Sequence, residues 1–390
     1  MRTQICIIGG GPAGLFLSHV LHAAGIDSVI VEKQTKKHVL GRIRAGVLEH
    51  GTVELLRQYG LSGRMDRDGM PKDGTRIIWQ GKDDFFIDTM RWTGKRMMIW
   101  GQTQITEDLY AARERDGAAI VFEAANTTLH DITGSPSVTY EKDGITHRVD
   151  CDFVIGCDGF HGPSRMAIPA DIRREYERIY PFGWLGIMVE RPPLKELVYD
   201  YHTDGFAMAS RRNPMLSRYY VQVPAADKVE EWSDDRFWDA FLGRVPEHMA
   251  RQVQTGPSIE KSIAPLRSFV SEPMRWGKLF LAGDAAHIVP PTGAKGLNLA
   301  FSDVFYLSRA LITHYDEGSD HYLDCYSEMA LRRIWAAENI SWKLTKLLHV
   351  FPDEDPFDQK IRQNDYDLLL ASEEVQQALA YEYIGLPFED

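Results

Sequence analysis

The chain opens on MRTQICIIGGGPAGLFLSHVLHAAGIDSVIVEK, and the glycines inside this stretch constrain the fold more than any other feature. QICIIG reads as a buried parallel strand, GGGPAG as a turn, FLSHVLHAAG as an apolar helix, and DSVIVE as a second strand ending at Glu32. That order is a βαβ unit. Gly9, Gly11 and Gly14 supply GxGxxG between the strand and the helix. The first glycine permits the tight turn, the second admits a pyrophosphate to backbone N–H groups, and the third lets helix and strand pack closely. Glu32 stands where an acid hydrogen-bonds a ribose hydroxyl. In this context the glycines predict a dinucleotide site.

A chain of 390 residues exceeds one typical core and predicts two intimately joined domains or one large domain with an insertion. QTQITEDLYAARERD, residues 102–116, puts Ile105, Leu109 and Ala112 on one helical face, with AAIVFEA following as a strand. RVDCDFVIGCDG supplies another strand ending in a turn. From about Tyr180 to Pro265 alternating, aromatic-rich runs predict an antiparallel sheet over a cavity. KLFLAGDAAH returns to parallel-strand texture, and after Asp303 the chain reads as helical up to a less regular, acidic tail.

The net charge of −12 argues against nucleic acid as a partner, because phosphate binding needs a basic face. The four cysteines show neither CxxC nor CxxxxC after the first motif and no metal pattern, which disfavours a disulfide reductase and predicts reduced thiols. The start reads as a strand rather than a secretory leader, and no apolar run approaches the roughly 18 residues of a membrane span. A cytoplasmic location is expected.

Two further turns carry chemistry: CDGFHGPSR at 157–165 and LAGDAAH at 281–287. In this order with the first motif, the three resemble the fingerprints of the class A flavin-dependent aromatic hydroxylases. The resemblance continues through GRIRAGVLE (41–49), YPFGWLG (180–186), SRYYVQVP (217–224), EKSIAPLRSF (260–269), AHIVPPTGAKGLNLA (286–300) and the closing YIGLPFED, essentially the whole chain. It implies an α/β fold: a Rossmann-like, glutathione-reductase-type FAD-binding domain, an inserted antiparallel-sheet substrate domain and a helical C-terminal region. The expected FAD domain is discontinuous, 1–72, 97–178 and 266–330. The substrate domain takes 73–96 and 179–265, and 331–390 forms the helical region and a homodimer interface.

The same resemblance assigns residues. FAD would meet Gly9, Gly11, Gly14 and Glu32, with Arg42, Arg44, Gln102, Asp158 and Arg218. Asp284 would contact its ribityl chain. If the flavin ring lies against Pro291–Gly296, the helix starting near Leu297 aims free N–H groups at the ring edge that becomes negative on reduction, with Gly296 and Asn298 adjoining. Gly293, Ala294 and Gly296 are then small so that the ring can approach, and Lys295 raises the local positive potential. A carboxylate substrate would pair with Arg212, supported by Ser210 and Tyr220, with Pro291 beside the ring. Tyr199 and Tyr383 would contact the phenol oxygen and relay its proton outward. Where well-known members end that relay with a histidine, this chain has Lys72, expected to be solvated so that the relay ends at water.

For the reductant, Lys33, Lys36, Lys37, Arg42 and Arg44 form a basic cluster suited to the 2′-phosphate of NADPH, although Lys36 and Lys37 also suit a solvated helix surface. Arg42, Arg44, His161, Arg165 and Arg267 match nucleotide contacts of the family, and Gln34 and His38 are expected beside Lys33 in the segment that governs coenzyme choice. Lys33 and His38 depart from its arginine and tyrosine, so NADPH is expected and NADH stays open. The implied reaction is monooxygenation of 4-hydroxybenzoate to 3,4-dihydroxybenzoate with NAD(P)H and O2 through a flavin C4a-hydroperoxide, with the flavin moving between buried and exposed positions. Another hydroxylated aromatic acid is the alternative substrate.

Overall fold

The computed structural model describes residues 1–41 and 46–389. Its first βαβ unit runs through a strand Ile5–Ile8, a helix Pro12–Ala23 and a strand Ser28–Val31. These strands sit inside a six-stranded sheet whose order is Arg275–Trp276, Leu279–Leu281, Phe153–Gly156, Ile5–Ile8, Ser28–Val31 and Ile120–Val121, parallel except at the first. Ile5, Cys6 and Ile7 are fully buried, as strands covered on both faces require. RVDCDFVIGCDG divides into two strands rather than the single one expected. Ile145–Asp150 joins a three-stranded antiparallel sheet with Ser137–Lys142 and Ala125–His130. The chain then corners at Cys151, whose N–H donates to Pro136 O, and enters the parallel sheet at Phe153.

An eight-stranded sheet occupies the aromatic-rich block. It runs from His287–Ile288 through Ser258–Glu272, Arg174–Val189, Leu216–Pro224, Ala207–Asn213, Val198–Tyr201 and Gly74–Trp79 to Phe85–Asp88. All neighbours are antiparallel except Val198–Tyr201 against Gly74–Trp79. Side chains alternate between two faces. One face buries Ile78, Val198, Ala209, Tyr219 and Val221 against Phe237 and Phe241 of the helix Asp234–Arg244. The other packs Ile77, Trp184, Tyr199 and Met208 against the C-terminal helices. Burial of each large apolar side chain contributes about 1.5–3 kcal/mol, so both faces are sealed. A helix Gly296–Glu317 lies along the first helix, and His321–Leu348, Pro356–Ala371 and Glu373–Ile384 follow. The tail is therefore helical as far as Ile384, further than its composition indicated. No described helix is long and apolar enough to cross a membrane.

Candidate active site

The glycine motif does what its spacing demands. A Cβ on Gly14 would lie 2.1 Å from Gly9 O, and one on Gly9, whose φ is +108°, would lie 2.3 Å from Cys157 O. Around Gly11, by contrast, a Cβ would meet nothing within 4 Å. Glu32 fixes the turn by accepting from the Gly10 N–H at 2.6 Å and the Gln34 N–H at 2.7 Å. Asp158 Oδ2 accepts from the Ser164 N–H at 2.9 Å, while its buried Oδ1 has no partner; burial pushes this carboxyl's pKa up. Asp284 is exposed between buried Gly283 and Ala285.

At the start of Gly296–Glu317 no side chain caps the helix, and among the described residues the Gly296, Leu297 and Asn298 N–H groups find no acceptor in the chain. Asn298 instead braces the neighbouring strand, accepting from the Glu49 N–H at 2.9 Å and donating to Val47 O at 3.1 Å and Ala294 O at 2.8 Å. An open glycine face, an orphaned carboxylate oxygen and an uncapped helix terminus fit a dinucleotide cofactor carrying phosphates, hydroxyls and an electron-poor ring. Gln102 is half-buried at the first position of the helix Gln102–Arg115. Arg42 and Arg44 lie outside the described residues.

At Gly293 a Cβ would lie 2.6 Å from Ser341 Oγ, so the protein's own packing also favours a small residue there. Ala294 adopts a left-handed conformation, φ 54°, and only Gly296 is open on its Cβ side. Pro291 is exposed at the head of this turn.

Register gathers the expected substrate residues. Tyr199 pairs with Met208, Met208 with Tyr220 and Ser210 with Arg218, placing Tyr199, Ser210, Arg218 and Tyr220 on one sheet face, while Arg212 sits in the irregular step between Arg211 and Asn213 and joins them through its hydrogen bond with Tyr220. Arg212 lies four residues beyond Met208, about 13 Å along the strand from the Tyr199 end. Its Nη1 approaches to 3.2 Å from where a Gly46 Cβ would be. Burial draws the Arg212 pKa down, while Tyr220 and Glu260 oppose that shift. Gly186 is required here: a Cβ would strike the Tyr220 ring at 2.5 Å. Arg218 is 4% exposed, pairs with Glu260 at 2.9 Å and lies 5.0 Å from the Tyr220 ring centroid.

At the other end, Tyr199 and Tyr383 are buried and hydrogen-bonded to each other. Tyr383 Oη is 2.8 Å from Thr75 Oγ1, which accepts from Lys72 Nζ at 2.5 Å. Lys72 is not solvated as expected but 7% exposed, and burial lowers its pKa to about 7. The strand Met70–Lys72 turns it inward beneath Tyr383. Sequence reasoning missed Thr75 altogether. Its alternation with Ile77, which faces Tyr199, was the available signal.

Lys295 is also buried. It pairs with Glu49 at 2.7 Å and donates to Tyr383 O at 2.9 Å and Glu382 O at 3.0 Å, near the end of the last helix. Among the nucleotide candidates, Lys33, His38 and His161 are exposed and Gln34 is half-buried. Lys36 pairs with Glu114 at 2.5 Å, and Lys37 is exposed. Arg267 lies 4.4 Å from the Phe160 ring centroid and pairs with Glu177. Arg165 is 6% exposed, pairs with Glu175 and donates to Ala285 O.

The fold and this groove define a flavoprotein class: residues 2–341 match the FAD binding domain family, and the chain belongs to it. The particular relative is p-hydroxybenzoate hydroxylase of Acinetobacter baylyi, 50% identical over 391 residues, covering 100% of this chain and 96% of that one. A 3-(3-hydroxy-phenyl)propionate/3-hydroxycinnamic acid hydroxylase of Mycolicibacterium gilvum is 24% identical over 83% of this chain and 56% of its own. Among solved structures, p-nitrophenol 4-monooxygenase PnpA from Pseudomonas putida has a TM-score of 0.81 at 17% identity, covering 98% of this chain and 99% of its own. OxyS anhydrotetracycline hydroxylase from Streptomyces rimosus has a TM-score of 0.79 at 22% identity, covering 98% and 76%. The two structures bear on the fold alone. Kinship with the aromatic hydroxylases, expected from the motifs, is borne out.

Proposed function

We propose that the protein is an FAD-dependent monooxygenase that converts 4-hydroxybenzoate to 3,4-dihydroxybenzoate with NAD(P)H and O2. One observation carries this reading: a sheet face bearing Tyr220, to which the buried Arg212 guanidinium is hydrogen-bonded, also bears Tyr199, from which a buried hydroxyl chain leads to a lysine. A flat ring with a carboxylate opposite a phenol matches both ends. FAD, when bound, takes hydride from NAD(P)H and activates O2 for transfer to the ring. Gly9, Gly11, Gly14, Glu32, Asp158, Asp284 and the N–H groups of Gly296–Asn298 would hold it, with Gln102 and Arg218 adjoining.

The chain's own residues supply binding and proton movement. Arg212 grips the carboxylate through charge-assisted hydrogen bonds with Ser210 and Tyr220 beside it. Tyr199 receives the phenol proton's hydrogen bond and passes the proton through Tyr383 and Thr75 to Lys72. A phenolate ring is far more nucleophilic than a phenol, so this removal lowers the barrier to electrophilic oxygenation. With its pKa near 7, Lys72 holds a lone pair about half the time at neutral pH, as a proton acceptor must. Pro291 stands beside the ring as a positioning surface.

His161 and Arg267, flanking Phe160, are assigned to the nicotinamide nucleotide together with Lys33, Gln34, His38, Arg42 and Arg44. Arg165 is assigned there through its brace on the Ala285 turn. The domain division 1–72, 97–178 and 266–330 against 73–96 and 179–265, the cytoplasmic location and a homodimer built on 331–390 belong to the same reading.

The test is turnover by FAD-loaded protein on a hydroxybenzoate panel with NADPH or NADH, measuring catechol and peroxide together. 4-Hydroxybenzoate should give product with little peroxide. Arg212→Ala should weaken its binding about a hundredfold or more, since hydrogen bonds to a charged group contribute about 1.5–3 kcal/mol each. Better turnover of phenols lacking a carboxylate would overturn the substrate assignment.

A further inference from the structure

Beneath the exposed Asp284 lies a charged pair that the proposed chemistry does not use. Asp303 Oδ2 accepts from the Gly283 N–H at 2.8 Å and lies 2.7 Å from His287 Nε2; both side chains are 1% exposed. Asp303 Oδ1 and His287 Nδ1 are buried without partners, so this one oxygen carries the whole contact. A buried ion pair with unmet hydrogen-bonding capacity is a poor way to stabilise a fold. Its position indicates another use.

Gly283 sits at φ +64°, between the strand Leu279–Leu281 and the short turn Gly283–Ala285, where no ladder holds its N–H. The side chain of Asp303 holds it instead. On the far side, Arg165 Nη1 donates to Ala285 O at 3.3 Å. Asp284 is thus clamped from both flanks. Asp303 also belongs to the helix Gly296–Glu317, which packs against the Gly283–Ala285 turn and whose start carries no side-chain cap. One rigid helix therefore presents its own N–H groups and pins the turn that presents Asp284.

We propose that Asp303 and His287 are a positioning pair for the cofactor, setting the Gly283–Ala285 turn so that Asp284 meets FAD while the helix terminus meets the ring. The inference rests on reading Asp284 as an FAD ligand. His287 keeps the Asp303 carboxylate oriented. The other charged groups facing that imidazole are Asp284 and Glu338, and Asp303 raises its pKa against the opposing effect of burial.

The test strips FAD from purified holoenzyme and follows rebinding by flavin fluorescence, with the apoprotein's Tm and the 4-hydroxybenzoate Kd of the FAD-saturated enzyme measured alongside. Asp303→Asn, which removes the charge at constant shape, should weaken FAD roughly ten- to hundredfold while substrate Kd in saturated enzyme stays within about twofold. His287→Gln should weaken FAD by about threefold or more. A purely architectural pair would lower the apoprotein Tm and leave FAD affinity alone, and that result overturns the proposal. Should Asp303→Asn fail to fold, His287→Gln decides: FAD binding within about twofold of the parent overturns it. Asp284→Ala separates the two layers. Unchanged FAD affinity in that variant removes the cofactor reading itself, whereas weakened binding there with parental binding in Asp303→Asn sinks only the pair's role.

Discussion

Lys72 and Lys295 are two buried lysines that flank one tyrosine, and they differ in what surrounds the ammonium. Lys295 reaches Glu49 and two helix-end carbonyls, with Arg333 closing the other side of Glu49 at 3.1 Å. Among the described residues, Lys72 donates to the Thr75 hydroxyl alone, with the Tyr383 ring centroid 5.6 Å away. Burial lowers both pKa values. At Lys295 the Glu49 carboxylate opposes that shift, whereas burial takes the pKa of Lys72 down to about 7. Burial alone thus does not decide a lysine's role. With a carboxylate beside it the charge is fixed and architectural; with a hydroxyl the proton can leave.

The largest effect should come from breaking the fixed pair. Lys295→Met leaves Glu49 buried with Arg333 alone and releases the end of the helix that carries Tyr383. Removing one partner of a buried ion pair costs about 3–5 kcal/mol, read as a lowered urea midpoint at unchanged slope. Stability within 1 kcal/mol of the parent would mean that Arg333 alone compensates Glu49, and the contrast between the lysines would weaken.

Lys72→Met should act in the opposite direction and depend on pH. A lysine whose folded pKa lies below its unfolded value of 10.5 binds fewer protons folded than unfolded between about 7 and 10.5. In the parent, stability from this group therefore rises with pH through that window and is least below pH 7. The methionine variant escapes the buried charge, so it should gain about 1–3 kcal/mol below pH 7, with the advantage shrinking toward pH 10. Denaturation series at several pH values read this directly. The relay predicts a rise in phenol ionisation through pH 7 in the parent, and the same variant should lose it. A stability difference independent of pH would mean that Lys72 keeps its proton throughout.

This contrast marks how far the sequence could be read. GxGxxG and Glu32 were legible because turn, helix and strand are contiguous, so local spacing carries the geometry. Tyr199, Ser210, Arg212 and Tyr220 were reached through resemblance; strand alternation places Tyr199, Ser210 and Tyr220 on one face, while Arg212 joins them from an irregular step in its strand. The state of the two lysines was not legible. Each is covered by residues far along the chain, Lys295 by Glu49 and Glu382 and Lys72 by Tyr383, and the nearby Thr75 that Lys72 bonds does not by itself distinguish a buried lysine from a solvated one. The corner at Cys151 escaped for a related reason: an apolar run passing from one sheet to another keeps its texture while changing partners.

The smallest effect isolates the route itself. Thr75 is fully buried, and its hydroxyl is the junction between Tyr383 and Lys72. Thr75→Val keeps the branched shape and the packing against the sheet but removes the oxygen both neighbours use. Loss of a buried hydrogen-bonded hydroxyl costs about 1–2 kcal/mol, so the fold should survive with a modestly lower Tm. The phenol proton should leave about tenfold more slowly, measured from phenolate absorbance and an indicator dye after rapid mixing with 4-hydroxybenzoate. Lys295→Met, which leaves every hydroxyl of the chain in place, should slow that step less than it lowers stability. If Thr75→Val releases the proton at the parental rate, the proton leaves from Tyr199 or Tyr383 by another path. Lys72 would then be a buried lysine whose lowered pKa serves no transfer, and the difference between the two lysines would be one of solvation alone.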